Sequence, residues 1–122
     1  MSQRVVALRG ATTVESDSAE AIFPRVQEML SQILERNDIA HDDIISAFFT
    51  ATPDLVSVFP ATASRAIGFG DIPLICATEI NVSGATPMCV RVMLQAYSSR
   101  PRNEIRHVYL HGAQGLRDDL PG

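Results

Sequence analysis

The sequence predicts one α+β domain over residues 1–122, in which a mixed β-sheet packs with one long and one short helix. The chain has 122 residues, of which 46% are hydrophobic, enough for a single domain with its own core. Apolar residues recur at helical spacing between residues 22 and 34, whereas apolar and polar residues alternate between 88 and 97. Shorter apolar runs elsewhere suit further strands, which gives four or five strands in total.

The first strand is expected over residues 4–14 and leads into the long helix. Ser18 is the expected N-cap of that helix, and Glu20 favours the helix dipole in the first turn. Pro24 lies inside the helical pattern and removes one backbone hydrogen bond, so we expect a kink or a loosened first turn there. The helix ends at about Asn37.

The middle of the chain predicts a buried strand followed by a short helix. Residues 44–52 are apolar on both faces, which is typical of a strand that is covered on both sides. The short helix is expected over residues 60–67, with Pro60 near its start and Gly68 at its stop.

Three further strands are predicted at residues 72–76, 88–97 and 105–110. In the second of these, one face carries Val90, Val92 and Leu94, and the other carries Cys89, Arg91, Met93 and Gln95. The polar, glycine-containing segment 111–122 is expected to be a mobile tail.

The composition excludes several classes of partner. A net charge of −4 disfavours nucleic acid as the main ligand. No apolar run approaches the roughly 20 residues that span a bilayer, so no membrane segment is expected. The first ten residues lack the long apolar stretch of a signal peptide, and we therefore expect a cytoplasmic protein.

Cysteine and histidine are too sparse to predict a metal site. Cys76 and Cys89 match no zinc or redox spacing, and the three histidines show no ligand motif. No metal and no cofactor are therefore expected.

All ten basic residues are arginine, which excludes Schiff-base lysine chemistry. An anionic ligand would have to be held by arginine side chains, whose planar fork suits carboxylates.

Arginine also occurs in unexpected places. Arg91 lies in the middle of an apolar strand and Arg9 directly follows another, while Arg117 lies in the tail. An arginine buried among apolar residues needs an anion, because an unpaired buried charge is costly. Glu79 is the nearest candidate. Spacing alone leaves open whether Arg91 and Glu79 form a structural ion pair or belong to an arginine cluster that binds a carboxylate ligand.

Along nearly its whole length the chain resembles the monofunctional chorismate mutases of the trimeric pseudo-α/β-barrel class. Seven strings carry the resemblance, in order and without a large gap. They are RGATTVE from Arg9, TATPDL from Thr50, FPA from Phe59, C-x-x-E from Cys76, C-V-R-V-M from Cys89, RHVYL from Arg106 and L-R-x-D-L from Leu116.

The resemblance implies a homotrimer with an active site at each subunit interface. It assigns catalysis to Arg91, Glu79 and Arg9. The residues that it implies bind substrate are Arg9, Phe59, Ala61, Arg65, Cys76, Glu79, Arg91, Tyr109 and Arg117. Within this set, Phe59, Ala61 and Arg65 are expected to come from the neighbouring subunit.

The implied reaction converts chorismate to prephenate by an intramolecular [3,3] shift, in which one C–O bond breaks while one C–C bond forms. This belongs to phenylalanine and tyrosine biosynthesis and needs no cofactor. The site has to select the folded conformer of a dicarboxylate and stabilise the charge that develops on its ether oxygen.

Two alternatives stay open. Trimeric imine deaminases of the RidA type resemble the chain in fold and use an arginine at a subunit interface, but the strings from Arg9 and Arg106 match the mutases. The other is a ligand-binding trimer that has kept the site and lost its activity.

Overall fold

The computed structural model describes residues 3–116. It contains a five-stranded sheet and two α-helices, as the sequence predicts. In chain order they are β1 (Arg4–Thr13), α1 (Ala19–Asn37), β2 (Ile44–Ala51), α2 (Pro60–Arg65), β3 (Leu74–Thr78), β4 (Cys89–Ser98) and β5 (Val108–Tyr109). Within residues 3–116, no helix is long and apolar enough to cross a membrane.

The strand order is β3-β2-β4-β1-β5, and the sheet is mixed. The central strand β4 runs antiparallel to both β1 and β2. The outer strands are parallel to their neighbours, β3 to β2 and β5 to β1. The predicted α+β class with a mixed sheet is confirmed.

Helix α1 follows its sequence signals closely. The Ser18 hydroxyl accepts a hydrogen bond from the Ala21 N–H at 3.3 Å, and Asp38 ends the helix in the left-handed region with a φ of 54°. The helix continues through Pro24 without a break. Its apolar side is fully buried and consists of Ile22, Val26, Met29, Leu30 and Ile33.

Both helices lie on one face of the sheet. Helix α1 packs on β1, and α2 packs on α1, β2 and β3. The Gln27 side chain links the helices by donating to the Ala63 carbonyl at 3.2 Å. The opposite face, which we call the open face, has no helix on it within residues 3–116.

Two predictions about strands differ from the structure of one protomer. The strand predicted at 44–52 is covered on one side only, because Phe49 is fully buried beneath the helices whereas Phe48 on the open face is 45% exposed. The strand predicted at 105–110 is reduced to the two residues of β5. Residues 105–107, which were predicted to belong to this strand, instead follow a 3₁₀ turn at Arg102–Glu104 and pair with no strand.

The start of the predicted tail is packed against the domain. Residues His111–Ala113 form a 3₁₀ turn, in which the Gly112 N–H donates to the Thr13 hydroxyl at 2.9 Å. The His111 ring contacts the Glu28 carboxylate at 2.8 Å. Residues from 117 onward lie outside the described part of the chain, so mobility of the tail stays a prediction.

Candidate active site

The open face of the sheet carries a cavity of about 610 Å³. Side chains reach it from β1, β2, β4 and β5 because alternate residues of a strand point to the same face. Four of the predicted site residues line this one cavity, namely Arg9, Glu79, Arg91 and Tyr109.

Strand register places three polar residues of the cavity, Thr50, Arg91 and Tyr109, in one row across the sheet. Thr50 of β2 lies opposite Arg91 of β4, which lies opposite Ala11 of β1, which in turn lies opposite Tyr109 of β5. Partnered residues present their side chains on the same face. Ala11 has only a methyl group, so the row leaves space between Arg91 and Tyr109.

Arg91 and Glu79 form the ion pair that spacing had suggested. The Arg91 Nε lies 3.7 Å from Glu79 Oε2. Glu79 follows β3 directly, and its N–H donates to the Ala51 carbonyl at 2.9 Å, which fixes its backbone beside β2. The Thr50 hydroxyl donates a hydrogen bond to the same Glu79 oxygen.

Two buried donors in the cavity have no partner. In the described part of the chain, the Arg91 Nε and the Tyr109 hydroxyl are the buried side-chain polar atoms that make no hydrogen bond. Buried polar groups are nearly always satisfied, because an unsatisfied one costs about 1–3 kcal/mol. Two such donors facing one cavity indicate a site that is completed by a hydrogen-bond acceptor of a ligand.

Arg9 lies one row away from Arg91, opposite Met93 of β4. The backbone N–H of Arg9 donates to the His107 Nδ1 at 2.9 Å, and this hydrogen bond links β1 to the segment before β5. With Arg9, Arg91 and Glu79 together, the cavity carries a net positive charge. The arrangement therefore favours an anionic ligand, as arginine side chains suit carboxylates.

Cys89 begins β4 two residues before Arg91 and is buried. Burial raises the pKa of the Cys89 thiol, and this effect exceeds the opposing influence of the Arg91 guanidinium. A thiol that stays protonated is a poor nucleophile. Between residues 3 and 116, no group of three or more histidine, cysteine or acidic side chains is arranged to hold a metal ion.

The other predicted site residues lie away from the cavity. Phe59, which is 70% exposed, immediately precedes α2, buried Ala61 lies within α2 and exposed Arg65 ends it. Cys76 is the partner of the buried Phe49 and so faces the helices. Within one protomer, the sheet therefore lies between these four residues and Arg91.

One predicted residue cannot be placed, and one residue of the site was not predicted. Arg117 lies outside the described residues. Thr50 contacts Glu79 but was noted only as the first letter of the TATPDL string. Its sequence signal is weak, since its importance depends on the register between β2 and β4.

Comparison with known proteins identifies the family. The model of the family described as chorismate mutase type I matches residues 5–120. The chorismate mutase AroH of Bacillus subtilis (strain 168) is 41% identical over 114 residues, 93% of this chain and 90% of that protein. The chorismate mutase AroH of Thermus thermophilus is 43% identical over 114 residues, covering 93% of each chain.

A solved structure agrees with these relatives. The chorismate mutase from Clostridium thermocellum superimposes with a TM-score of 0.87 at 42% identity, covering 89% of this chain and 97% of that one. The chain therefore belongs to the chorismate mutase type I family and is an isomerase, a chorismate mutase.

Proposed function

We propose that the open-face cavity is where this mutase binds chorismate and rearranges it to prephenate. The observation that supports this best is the pair of unpartnered buried donors, the Arg91 Nε and the Tyr109 hydroxyl. Chorismate offers what they lack, since it carries two carboxylates and an ether oxygen. The net positive charge of the cavity suits a dianion.

Arg9 and Tyr109 are proposed to clamp a carboxylate of the folded conformer. Both line the cavity, on the neighbouring strands β1 and β5. Holding the two reacting carbon atoms in contact converts an improbable conformer into the bound one, and such positioning lowers the barrier substantially. The same contacts persist in the transition state, so their loss affects binding of substrate as well.

Arg91 is proposed to face the ether oxygen. As the C–O bond stretches, that oxygen gains negative charge, and a fixed cation stabilises it more in the transition state than in the ground state. A mid-strand position suits this role because the backbone of β4 is hydrogen-bonded on both sides. Glu79 is proposed to orient Arg91 and to accept a hydrogen bond from the ring hydroxyl.

A homotrimer is proposed because four of the predicted site residues lie away from the cavity of their own protomer. The open face exposes a group of large apolar side chains, which are Val5, Phe48, Ile75, Met93 and Tyr97. An apolar face of this kind favours burial against another copy of the chain. If the helix-bearing face of one copy packs on the open face of the next, the contact is head-to-tail, and it gives a ring when the rotation between copies closes. It would bring Phe59, Ala61, Arg65 and Cys76 of one copy toward the cavity of the next.

The test is an ultraviolet assay of chorismate disappearance with purified protein, run with and without a metal chelator. We expect prephenate formation without added cofactor and equal rates in both samples. Activity that disappears with chelator and returns with zinc contradicts the mechanism. Absence of mutase activity together with release of ammonia from an imine would favour the deaminase alternative. A cytoplasmic location remains part of the proposal and is checked by fractionation.

A further inference from the structure

We propose that Thr50 is a positioning residue: its hydroxyl holds Glu79 back from Arg91, so that the Arg91 Nε–H stays available for substrate. The proposal rests on the assignment of Arg91 to the reacting oxygen. It adds to the site a residue whose side chain acts only through Glu79.

The geometry of the row supports this role. Thr50 lies directly opposite Arg91 across the β2–β4 pair, and its side chain is half-buried on the open face. Its hydroxyl donates to Glu79 Oε2, the same oxygen that lies nearest the Arg91 Nε. Glu79 Oε2 thus accepts a hydrogen bond from the neutral Thr50 hydroxyl, but it accepts none from the charged Arg91 Nε.

The unbonded distance carries the argument. At 3.7 Å, the contact between the Arg91 Nε and Glu79 Oε2 is an ion pair without a hydrogen bond, since N–H···O bonds in proteins span about 2.7–3.2 Å. A hydrogen bond between the guanidinium and the carboxylate, in which both partners are charged, would be stronger than the bond from Thr50, whose donor is a neutral hydroxyl. Glu79 nevertheless stops about half an ångström short of it.

Glu79 is held at two points. Its backbone N–H is fixed to the Ala51 carbonyl at 2.9 Å, and its carboxylate is fixed by Thr50. If the hydroxyl of Thr50 is removed, the carboxylate keeps only its ion pair with Arg91 among its polar contacts within residues 3–116. The carboxylate is then free to rotate toward the nearest donor, the Arg91 Nε, which has no other hydrogen-bond partner among residues 3–116.

A closed Arg91–Glu79 pair would compete with the substrate. The Nε–H would have to leave the carboxylate before it could reach the ether oxygen. That cost falls on the step in which charge develops, so we expect kcat to decrease more than KM increases.

The test begins with Thr50→Val, which keeps the branched shape and removes the hydroxyl. We expect a decrease in kcat of about tenfold, the scale of one hydrogen bond. Thr50→Ser restores the hydroxyl and should recover most of the rate. Thr12→Val is the matched control, because Thr12 loses a hydroxyl on a strand but lies buried on the opposite face. Its kcat should stay within about twofold of the parent.

A double-mutant cycle separates positioning from structure. If Thr50 acts through Glu79, then adding Thr50→Val to Glu79→Gln should change kcat by less than about twofold. A tenfold loss in both backgrounds would overturn the proposal, as would unchanged kcat in Thr50→Val. Circular dichroism shows whether each variant is folded, and Thr50→Ala, which also removes the hydroxyl, replaces Thr50→Val if that variant is not.

A second measurement needs no activity. The Nε–H resonance of Arg91, assigned by its loss in Arg91→Lys, should shift and exchange more slowly with water in Thr50→Val than in the parent. An unchanged resonance contradicts only the role of Thr50 and leaves the proposed function untouched. A parent protein without mutase activity contradicts the proposed function alone, so the two failures are distinguishable.

Discussion

Gly10 of β1 lies so close beneath Ile33 of α1 that a Cβ on Gly10 would be 2.7 Å from the Ile33 Cδ1. The same atom would stand 3.1 Å from the Met29 Cγ and 3.2 Å from the Val92 Cγ1. The neighbours of Gly10 along the chain are Arg9 and Ala11, which face the cavity. Close packing of the helix on one face of β1 therefore fixes the strand that carries the site on the other.

We expect Gly10→Ala to destabilise the protein by about 1–3 kcal/mol, the usual cost of overfilling a packed core. Urea unfolding measures this free energy. Gly70→Ala is the control, because a Cβ at Gly70 meets nothing within 4 Å. Equal unfolding free energies for the two variants would contradict the close packing of Gly10 against α1.

Adding Ile33→Val to Gly10→Ala tests the contact itself. Ile33→Val deletes the Cδ1 atom that stands nearest to the new methyl group. Alone it should cost about 0.5–1.5 kcal/mol, but in the Gly10→Ala background we expect it to cost less or to stabilise the protein. Strictly additive free energies would place the clash elsewhere.

Asp17 anchors the loop before α2. The Asp17 Oδ1 accepts hydrogen bonds from the N–H groups of Val56 at 3.1 Å and Ser57 at 3.0 Å. The Ser57 hydroxyl donates to the Asp17 carbonyl at 2.6 Å. Because Phe59 follows this loop, Asp17 fixes the backbone that presents Phe59.

The pKa of Asp17 predicts how that anchor responds to acid. Burial alone would raise this pKa, but the hydrogen bonds from Ser57 and Val56 outweigh it, and the net pKa lies below the ordinary 3.8. The ionised form is therefore favoured by folding. The stabilisation is present above pH 3.8 and is lost as the pH falls through the lowered value.

We therefore expect Asp17→Asn to have a lower Tm than the parent at pH 7, and the difference to shrink below about pH 3.8. Thermal unfolding across this pH range measures it. A Tm difference that does not change with pH would mean that the charge of Asp17 contributes nothing.

The elements that the sequence predicted best are those whose signals are local. Helix α1 carries its N-cap at Ser18 and its apolar periodicity within one segment, and its bounds agree within a residue or two. The alternation of β4 likewise predicted that Val92 and Met93 lie on opposite faces, and in the structure Val92 is buried whereas Met93 is exposed. Neither result depends on knowing what lies on the other side of the sheet.

The errors concern partners that lie far away in the chain. An apolar run such as 44–52 shows that both faces of a strand are apolar, but it does not say whether the same chain covers both, and Phe48 is left exposed. Thr50 was missed because its contact with Glu79 depends on two strand pairings. Cys76 pairs with Phe49 and faces the helices of its own protomer, so its place in the site stays a prediction that depends on a neighbouring copy.

The charge of Arg91 can be tested apart from its shape. Citrulline at position 91 keeps the planar end group and removes the charge. If Arg91 faces the ether oxygen, kcat should decrease by roughly 10²–10³ with a smaller change in KM, the scale of one lost oxyanion donor. A change confined to KM would instead show that Arg91 only clamps a carboxylate. Near-normal kcat in the folded variant would assign the electrostatic stabilisation to another residue.

Sharing of sites between subunits is tested by mixing two inactive variants. Arg91→Ala damages the cavity on the open face, whereas Arg65→Ala damages the α2 segment on the other face of the same protomer. If a site combines the cavity of one copy with α2 of the next, some sites in a mixed trimer contain neither change. Random assembly from equal amounts leaves about one quarter of the sites intact. Each half of a site comes from a different copy and is unaltered in about half of the cases, and both halves must be unaltered.

We therefore expect a mixture that is unfolded and refolded together to regain about a quarter of the parent activity per site. The two variants refolded separately and then combined are the control and should stay inactive while subunits do not exchange. Native mass spectrometry of a size-tagged pair confirms that mixed trimers have formed. Mixed trimers without activity would place both halves of the site in one protomer, and an active monomer in sedimentation would remove the need for a partner. Either result contradicts the shared site, because catalysis would then need no residue of a second protomer.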